Sequence, residues 1–124
     1  LSDMLARVAA QGIEPHTDIT LPDEPLEPET TALVYRCAQE AVRNVVRHAA
    51  ADGVWLMIRP VDDRLVLEVS DDGRGFDPRA AEGVQAAGHV GLRVLADLVA
   101  EAGGTVELAS APGRGTHVRV EVPR

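Results

Sequence analysis

A cluster of polar side chains in a strongly helical stretch is the first feature of this sequence that could carry chemistry. Its four members recur at i, i+4, i+7 and i+8, which places them along one face of a helix: Glu40, Asn44, Arg47 and His48. A carboxylate, an amide oxygen and two nitrogen-bearing groups in one stripe could hold a hydrated Mg²⁺ and its phosphates. A solvated helix face with ordinary charge pairs would look the same. The apolar side chains of the opposite face are predicted to enter the core: Val42, Val45, Val46 and Ala49.

A second cluster, Asp-Asp-Gly-Arg-Gly at residues 71–75, directly follows a β-rich run. At the end of a strand, the Asp71 carboxylate could accept a hydrogen bond from an exocyclic amine such as that of adenine. Gly73 and Gly75 would let the backbone come close to a ligand. An ordinary Asp-Gly turn is the alternative. An EF-hand loop is excluded, because the Asp-x-Asp-x-Asp-Gly spacing and the terminal Glu are missing.

Two further glycine clusters lie before the last helix and in the last hairpin. Residues 88–92, Gly-His-Val-Gly-Leu, lead into a helix, and glycines at a helix N-terminus expose free N–H groups that can bind an anion. No Gly-Lys-Ser/Thr follows, so this is not a Walker loop. Residues 113–116, Gly-Arg-Gly-Thr, could place the Thr116 hydroxyl beside Asp71. Plain turns explain both clusters when each is taken alone.

The elements that must position these clusters follow from the hydrophobic pattern. Helices are predicted at residues 2–11, 28–50 and 92–102, and strands at 13–20, 54–59, 65–70, 105–109 and 116–122. Residues 71–91 show no period, and so long an irregular stretch in a small domain is usually functional. The order predicts an α+β fold: a two-layer α/β sandwich whose mixed, mostly antiparallel sheet is covered by about three helices.

Composition limits the possible function classes. The 124 residues fit one domain, and 45% apolar residues with 2% aromatics predict an aliphatic core. A net charge of −8 argues against a nucleic-acid-binding surface, and all 12 basic residues are arginine. The single cysteine, Cys37, excludes an internal disulfide. Because neither a leader-like segment nor a run near the ~20 apolar residues of a membrane span is visible, we expect a cytoplasmic location.

Taken together, the four clusters resemble the ATP-binding boxes of the GHKL superfamily, which includes gyrase, Hsp90-type chaperones, histidine kinases and MutL. Residues 40–49 are similar to the N-box, and residues 71–75, 88–92 and 113–116 to the three glycine boxes. The resemblance covers residues 30–122 and is strongest to sensor kinases that partner NarL-type response regulators. It implies a Bergerat ATP-binding fold over residues 12–124, with residues 1–11 as the stump of a linker helix.

The resemblance also implies a role for each matching residue around the base and the metal. Asp71 would bind the adenine amino group with support from Thr116, while Gly73 and Gly75 would let the backbone pass the base. Asn44 would ligate the Mg²⁺ that bridges the triphosphate. Glu40 would position the water of that ion or assist proton transfer.

Further residues would contact the phosphates. The second glycine box would present backbone N–H groups and line the ATP site with Gly88, His89, Val90, Gly91 and Leu92, and residues 78–87 would form a mobile lid. The candidate cationic contacts are Arg43, Arg47 and His48. Arg47 stands where many relatives carry Lys, and Arg supplies the same charge with a different fork geometry.

The implied function is that of a histidine kinase catalytic domain. It would bind Mg-ATP and donate the γ-phosphoryl to a histidine on a separate dimerisation domain of the same kinase, with a NarL-type response regulator as indirect partner. None of the four histidines lies in the Glu-Leu-His-Asp-like neighbourhood of the family's phosphoacceptor. We therefore expect this piece, as the cytoplasmic portion of a soluble or membrane-bound sensor, to be unable to phosphorylate itself. Because dimerisation in the family belongs mainly to the helical hairpin that carries the phosphoacceptor, we also expect it to be monomeric.

Two other functions stay open on the sequence. One is another GHKL member, either an anti-sigma-type serine kinase or the ATPase half of a gyrase- or MutL-like protein. The other is a non-catalytic, nucleotide-sensing pseudokinase module that acts through contacts. The intact Asn44, Asp71 and glycine set argues against the pseudokinase.

Overall fold

The computed structural model describes residues 2–75 and 84–124, with side chains for all of these except residues 2, 48, 49 and 84–92. The helices are α1 (Ser2–Ala10), α2 (Pro28–Asn44), which continues as a π-helical segment (Val45–Ala49), and α3 (Val84–Glu101). The strands are β1 (Glu14–Ile19), β2 (Gly53–Val61), β3 (Arg64–Asp71), β4 (Thr105–Ser110) and β5 (Thr116–Pro123). Within the described ranges, no helix is long and apolar enough to cross a lipid bilayer.

The five strands form one sheet in the order β1-β2-β3-β5-β4. β1 pairs with β2 in parallel, and the other three neighbouring pairs are antiparallel. This mixed, mostly antiparallel sheet with three helices confirms the predicted two-layer α+β sandwich. The long central strands β3 and β5 pair residue for residue from Arg64 with Pro123 to Asp71 with Thr116, so the ends of two strands meet at the Asp71 position.

One face of the sheet packs against the helices because alternate strand residues are aliphatic. The core joins β2, β3 and β5 to the buried stripe of α2, and these strands contribute Leu56, Ile58, Leu65, Leu67, Val69, Val118, Val120 and Val122. α1 also belongs to this core, since Met4 and Val8 are buried in it. On the other face Trp55 stays 45% exposed and stacks on His16, with ring centroids 5.1 Å apart.

The predicted helix boundaries were wrong at one place. α3 begins at Val84, eight residues before the predicted start at residue 92. The first turns of α3 are rich in Ala and Gly, so they lack the large apolar side chains whose period would reveal a helix, and Gly lowers helix propensity. Residues 84–87 of the predicted lid are thus the first turn of α3, and the lid's remaining residues, 78–83, lie outside the described residues.

The long second helix was predicted correctly in extent, but its last turn is not α-helical. Residues Val45–Ala49 form a π-helical segment, and Ala50 then takes a left-handed conformation with φ 50°. A π-helical turn bonds i to i+5, so residues beyond Asn44 are rotated from the positions of a continued α-helix. The predicted i, i+4, i+7, i+8 stripe therefore holds from Glu40 to Asn44 and does not extend unchanged to Arg47 and His48.

Candidate functional site

The carboxylate of Asp71 lies at the end of β3 on the helix-facing side of the sheet and is 8% exposed. It accepts a hydrogen bond from the Gly73 N–H at 2.8 Å, and a second backbone bond from Thr116 on β5. Burial raises its pKa, the two backbone bonds partly oppose this, and the neighbouring Asp72 charge adds to the rise. A carboxylate held in this way is oriented by the backbone and gains from any further donor that a ligand brings.

The first and third glycine boxes form one structure around Asp71. Gly75 has φ +61°, and a Cβ there would overlap the carbonyl oxygen of Ala111. Gly115 has φ +71°, and a Cβ there would overlap the carbonyl oxygen of Asp71 itself. The Gly113 N–H also donates to the Arg74 carbonyl at 2.6 Å. These glycines let the segment after β3 and the β4–β5 connection lie backbone against backbone.

The Thr116 hydroxyl has a partner that the sequence did not indicate. Its Oγ1 lies 3.0 Å from the Ser110 Oγ, which in turn bonds the Gly115 carbonyl at 2.9 Å. Thr116 thus meets Asp71 through its backbone, and its hydroxyl is held at the last residue of β4. That Thr116 also supports adenine binding stays a prediction.

Asn44, the last α-helical residue of α2, is a buried polar side chain with an unmet hydrogen bond. It is 8% exposed, and among the described residues its Nδ2 finds no acceptor. A buried donor without an acceptor lowers the free energy of unfolding by about 1–3 kcal/mol, so its presence calls for an explanation such as a bound ligand. Since amide orientation is assigned from the hydrogen-bond network, the oxygen can equally occupy this position and serve a cation.

Glu40 stands one turn before Asn44 on α2. Its side chain is 22% exposed and lies 3.9 Å from the Arg43 guanidinium, a partly solvated pair worth well under about 1 kcal/mol. In the described part of the chain, no three carboxylate, histidine or cysteine side chains gather around one point. Asn44 and Glu40 together offer an amide and a carboxylate oxygen, and Mg²⁺ commonly takes one or two protein oxygens and completes its shell with water and phosphate.

Asp72 is a site-adjacent residue that sequence reasoning missed. Its Oδ1 accepts from the N–H groups of Asp52 at 3.0 Å and Gly53 at 2.9 Å. The Gly53 bond is the main reason that the pKa of Asp72 is lowered, although its partial desolvation opposes the shift. The available signal in the sequence was the pair of Asp residues at the end of β3, of which the second lies just beyond the strand.

The second glycine box occupies a different position from the one predicted. Gly88 and Gly91 are the fifth and eighth residues of α3, whereas only the first four N–H groups of a helix lack an internal partner. Contact of their N–H groups with phosphate stays a prediction and would require the first turns of α3 to unwind. The side chains of His48, His89, Val90 and Leu92 lie outside the described ones, and Arg47 is exposed.

Comparison with known proteins identifies the family of this chain. Residues 29–124 match the family described as Histidine kinase-, DNA gyrase B-, and HSP90-like ATPase. The chain is 36% identical, over 96% of its length, to the sensor histidine kinase NarS of Mycobacterium tuberculosis, of which it spans 28%. Its fold matches the histidine kinase domain of the Erythrobacter litoralis EL346 blue-light activated histidine kinase, with a TM-score of 0.77, 25% identity, and coverage of 98% of this chain and 56% of that one. Full-length ShkA in complex with AMPPNP gives a TM-score of 0.77 and 28% identity, with 98% of this chain and 28% of that chain covered.

Proposed function

Because this chain belongs to the family of histidine kinase-, DNA gyrase B- and HSP90-like ATPases, we propose that it binds Mg-ATP and donates the γ-phosphoryl to a histidine on a separate dimerisation domain. The observation that carries the proposal is the buried Asp71 carboxylate, oriented by two backbone bonds at the meeting point of β3 and β5. The resemblance of ShkA, whose structure holds AMPPNP, supports a nucleotide as the ligand.

Asp71 would select the base. Adenine presents an exocyclic amino donor where guanine presents a carbonyl oxygen. An ionised carboxylate accepts a hydrogen bond from the adenine amino group and repels the guanine carbonyl oxygen, so the site would favour ATP over GTP. The hydrogen bond from the base would also offset the penalty of burying this charge.

Asn44 and Glu40 would hold the metal end of the nucleotide. The unsatisfied amide of Asn44 supports this assignment, because a bound phosphate would accept from its Nδ2 or, with the amide turned over, Mg²⁺ would bind its oxygen. Mg²⁺ bound there would neutralise phosphate charge. Arg43, Arg47 and His48 are the proposed cationic phosphate contacts, so this end of α2 would orient the γ-phosphoryl for in-line attack.

The histidine that receives the phosphoryl is proposed to lie elsewhere in the full protein. The chain spans 28% of NarS and 26% of the DegS kinase/phosphatase of Bacillus subtilis. His16 and His117 sit on the sheet face away from Asp71, where His16 stacks on Trp55 and His117 Nδ1 lies 2.7 Å from Ser70 Oγ. We therefore propose that the isolated chain does not phosphorylate itself, acts in the cytoplasm and serves a NarL-type regulator only indirectly.

Calorimetric titration with ATP tests the binding step. We expect saturable binding that strengthens with Mg²⁺, is far weaker for GTP, and is lost in Asp71→Asn. Asp63→Asn, which removes the same charge from the exposed β2–β3 turn, should bind like the wild type. A folded wild-type chain that binds no ATP, or binds ATP and GTP alike, would refute the assignment of Asp71.

Transfer is tested separately with radiolabelled ATP. The chain alone should stay unlabelled, and addition of the dimerisation domain of its own kinase should label that domain at histidine. Acid-stable label on a serine instead would favour the anti-sigma-type kinase. Binding without any transfer would favour the nucleotide-sensing module.

A further inference from the structure

The two halves of the nucleotide site, the metal side at Asn44 and the base side at Asp71, lie on different elements. Asn44 ends the α-helical part of α2, whereas Asp71 ends β3. From Asn44 the chain passes through the π-helical segment, turns at Ala50 and enters β2 at Gly53. The position of Asn44 relative to Asp71 is therefore set by the packing of α2 on the sheet and, beyond Asn44, by how this path is attached to the sheet.

The turn within this path needs to be held from outside. Ala50 adopts φ 50° and ψ 44°, a left-handed conformation that a side chain with a Cβ disfavours. Such conformations persist only where the surroundings over-determine them, and they cluster at functional sites. Ala51 helps by entering the core, where it is 9% exposed.

Asp72 supplies two of the attachments. The β2–β3 ladder ends with Val54 opposite Asp71, and the Asp72 side chain continues it by one step. Its Oδ1 takes the N–H groups of both Asp52 and Gly53, at 3.0 and 2.9 Å. Charge-assisted bonds of this kind are roughly twice as strong as neutral ones.

A third attachment holds the same peptide from the other side. The Asp52 carbonyl accepts from the Glu14 N–H of β1 at 2.8 Å. Asp52, the residue before β2, is thus hydrogen-bonded to β1 through its carbonyl and to Asp72, next to the end of β3, through its N–H. Of these three hydrogen bonds, the two accepted by Asp72 lie directly next to Asp71 in the chain.

We propose that Asp72 is a positioning residue of the nucleotide site, which sets the Asn44 end of α2 relative to the Asp71 carboxylate through the peptides of Asp52 and Gly53. This role rests on the proposed binding of Mg-ATP. Asp72 touches no ligand in this account, since its carboxylate is used by the two backbone donors. Loss of the Asp72 carboxylate should therefore weaken the Mg²⁺-dependent part of ATP binding and leave the binding of adenine by Asp71 nearly unchanged.

The test measures ATP affinity with Mg²⁺ and with EDTA for the wild type, Asp72→Ala and Asp72→Asn. The alanine variant should bind Mg-ATP about tenfold more weakly, because part of the free energy of two charge-assisted bonds is lost from the metal side. Its affinity in EDTA should change less than about twofold, because the contacts of Asp71 remain. Asp72→Asn keeps an acceptor at the same position and should recover most of the Mg²⁺ effect. A purely structural role would lower the affinity equally in both media.

A double-mutant cycle with Asn44→Ala identifies the route of the effect. If Asp72 acts through Asn44, the double variant should bind Mg-ATP no more weakly than Asn44→Ala alone. Additive losses, equal losses with and without Mg²⁺, or no loss in Asp72→Ala would each overturn the positioning role while leaving the proposed function in place. Absence of Mg-ATP binding by the wild type would overturn both. Should Asp72→Ala unfold, Asp72→Ser, too short to reach both peptides, takes its place in the same assay.

Discussion

The orphaned amide of Asn44 makes a prediction that separates a functional residue from a structural one. Replacing Asn44 by Leu puts an apolar side chain of similar size in a position that is 8% exposed. It removes a buried donor that no described residue satisfies. Since such a donor costs about 1–3 kcal/mol and slight overpacking opposes part of the gain, the free energy of unfolding should rise by about 1–2 kcal/mol.

For a domain of this size, about 1–2 kcal/mol raises Tm by about 3–10 °C, which thermal unfolding followed by circular dichroism resolves. The same variant should lose Mg-ATP affinity by at least about 100-fold, since even the outer-shell partners of a metal contribute 10–100-fold. Gln39→Leu is the matched control, because it removes an exposed amide from the same helix and should shift stability by less than about 0.5 kcal/mol.

A fall in Tm for Asn44→Leu, or a change no larger than that of Gln39→Leu, would refute the reasoning. It would mean that the amide is satisfied in the folded apo protein and that its burial serves packing. Opposite movements of stability and affinity would instead identify Asn44 as a residue kept for binding at the expense of stability.

Three further predictions concern groups in and around the site. Asp71→Asn should stabilise the apo protein at neutral pH, because the pKa of Asp71 is raised in the folded state. The stability that the protonated carboxyl gives the wild type below its unfolded pKa near 3.8 is lost as pH rises through the folded pKa. In denaturant titrations, the difference in stability between the variant and the wild type should therefore grow over that pH range. A constant difference would contradict this. Gly115→Ala should lower stability by more than about 2 kcal/mol, since its Cβ would overlap the Asp71 carbonyl and the backbone would be strained at φ +71°. Gly113→Ala, which has φ +78° but open space around the Cβ, should cost only about 1 kcal/mol. Equal costs in chemical denaturation would show that steric overlap is unimportant. Burial raises the pKa of the Cys37 thiol to about 11 despite the opposing charge of Arg36, so a disulfide reagent at pH 7–8 should modify it only at the rate of unfolding, and fast labelling of the native protein would disprove its burial.

The four clusters were accessible from sequence because each is local. The Asp71 cluster follows a strand of alternating apolar residues, and the Glu40–Asn44 pair is one helical turn apart, so neighbours along the chain suffice to place them. Their identity as one site came from their joint resemblance to a family, and the structure brings the Asp71 and Gly115 segments into direct backbone contact. The start of α3 was missed for a local reason too, since an Ala- and Gly-rich turn has no apolar period to detect.

The sequence by itself determined the order of helices and strands, the aliphatic core and the candidates Asn44 and Asp71, because periodicity, turn residues and composition act over a few neighbouring residues. Tertiary structure alone decided that β1 runs parallel to β2 and that Asp72 bonds the peptides at the start of β2. It also decided that the Nδ2 of Asn44 is buried without a partner. These features depend on groups far apart in the chain: Glu14 and Gly53, paired in the β1–β2 register, are 39 positions apart, and Asp52 and Asp72 are 20 apart. Hydrogen bonds over such separations form only when the whole sheet and its helices pack together.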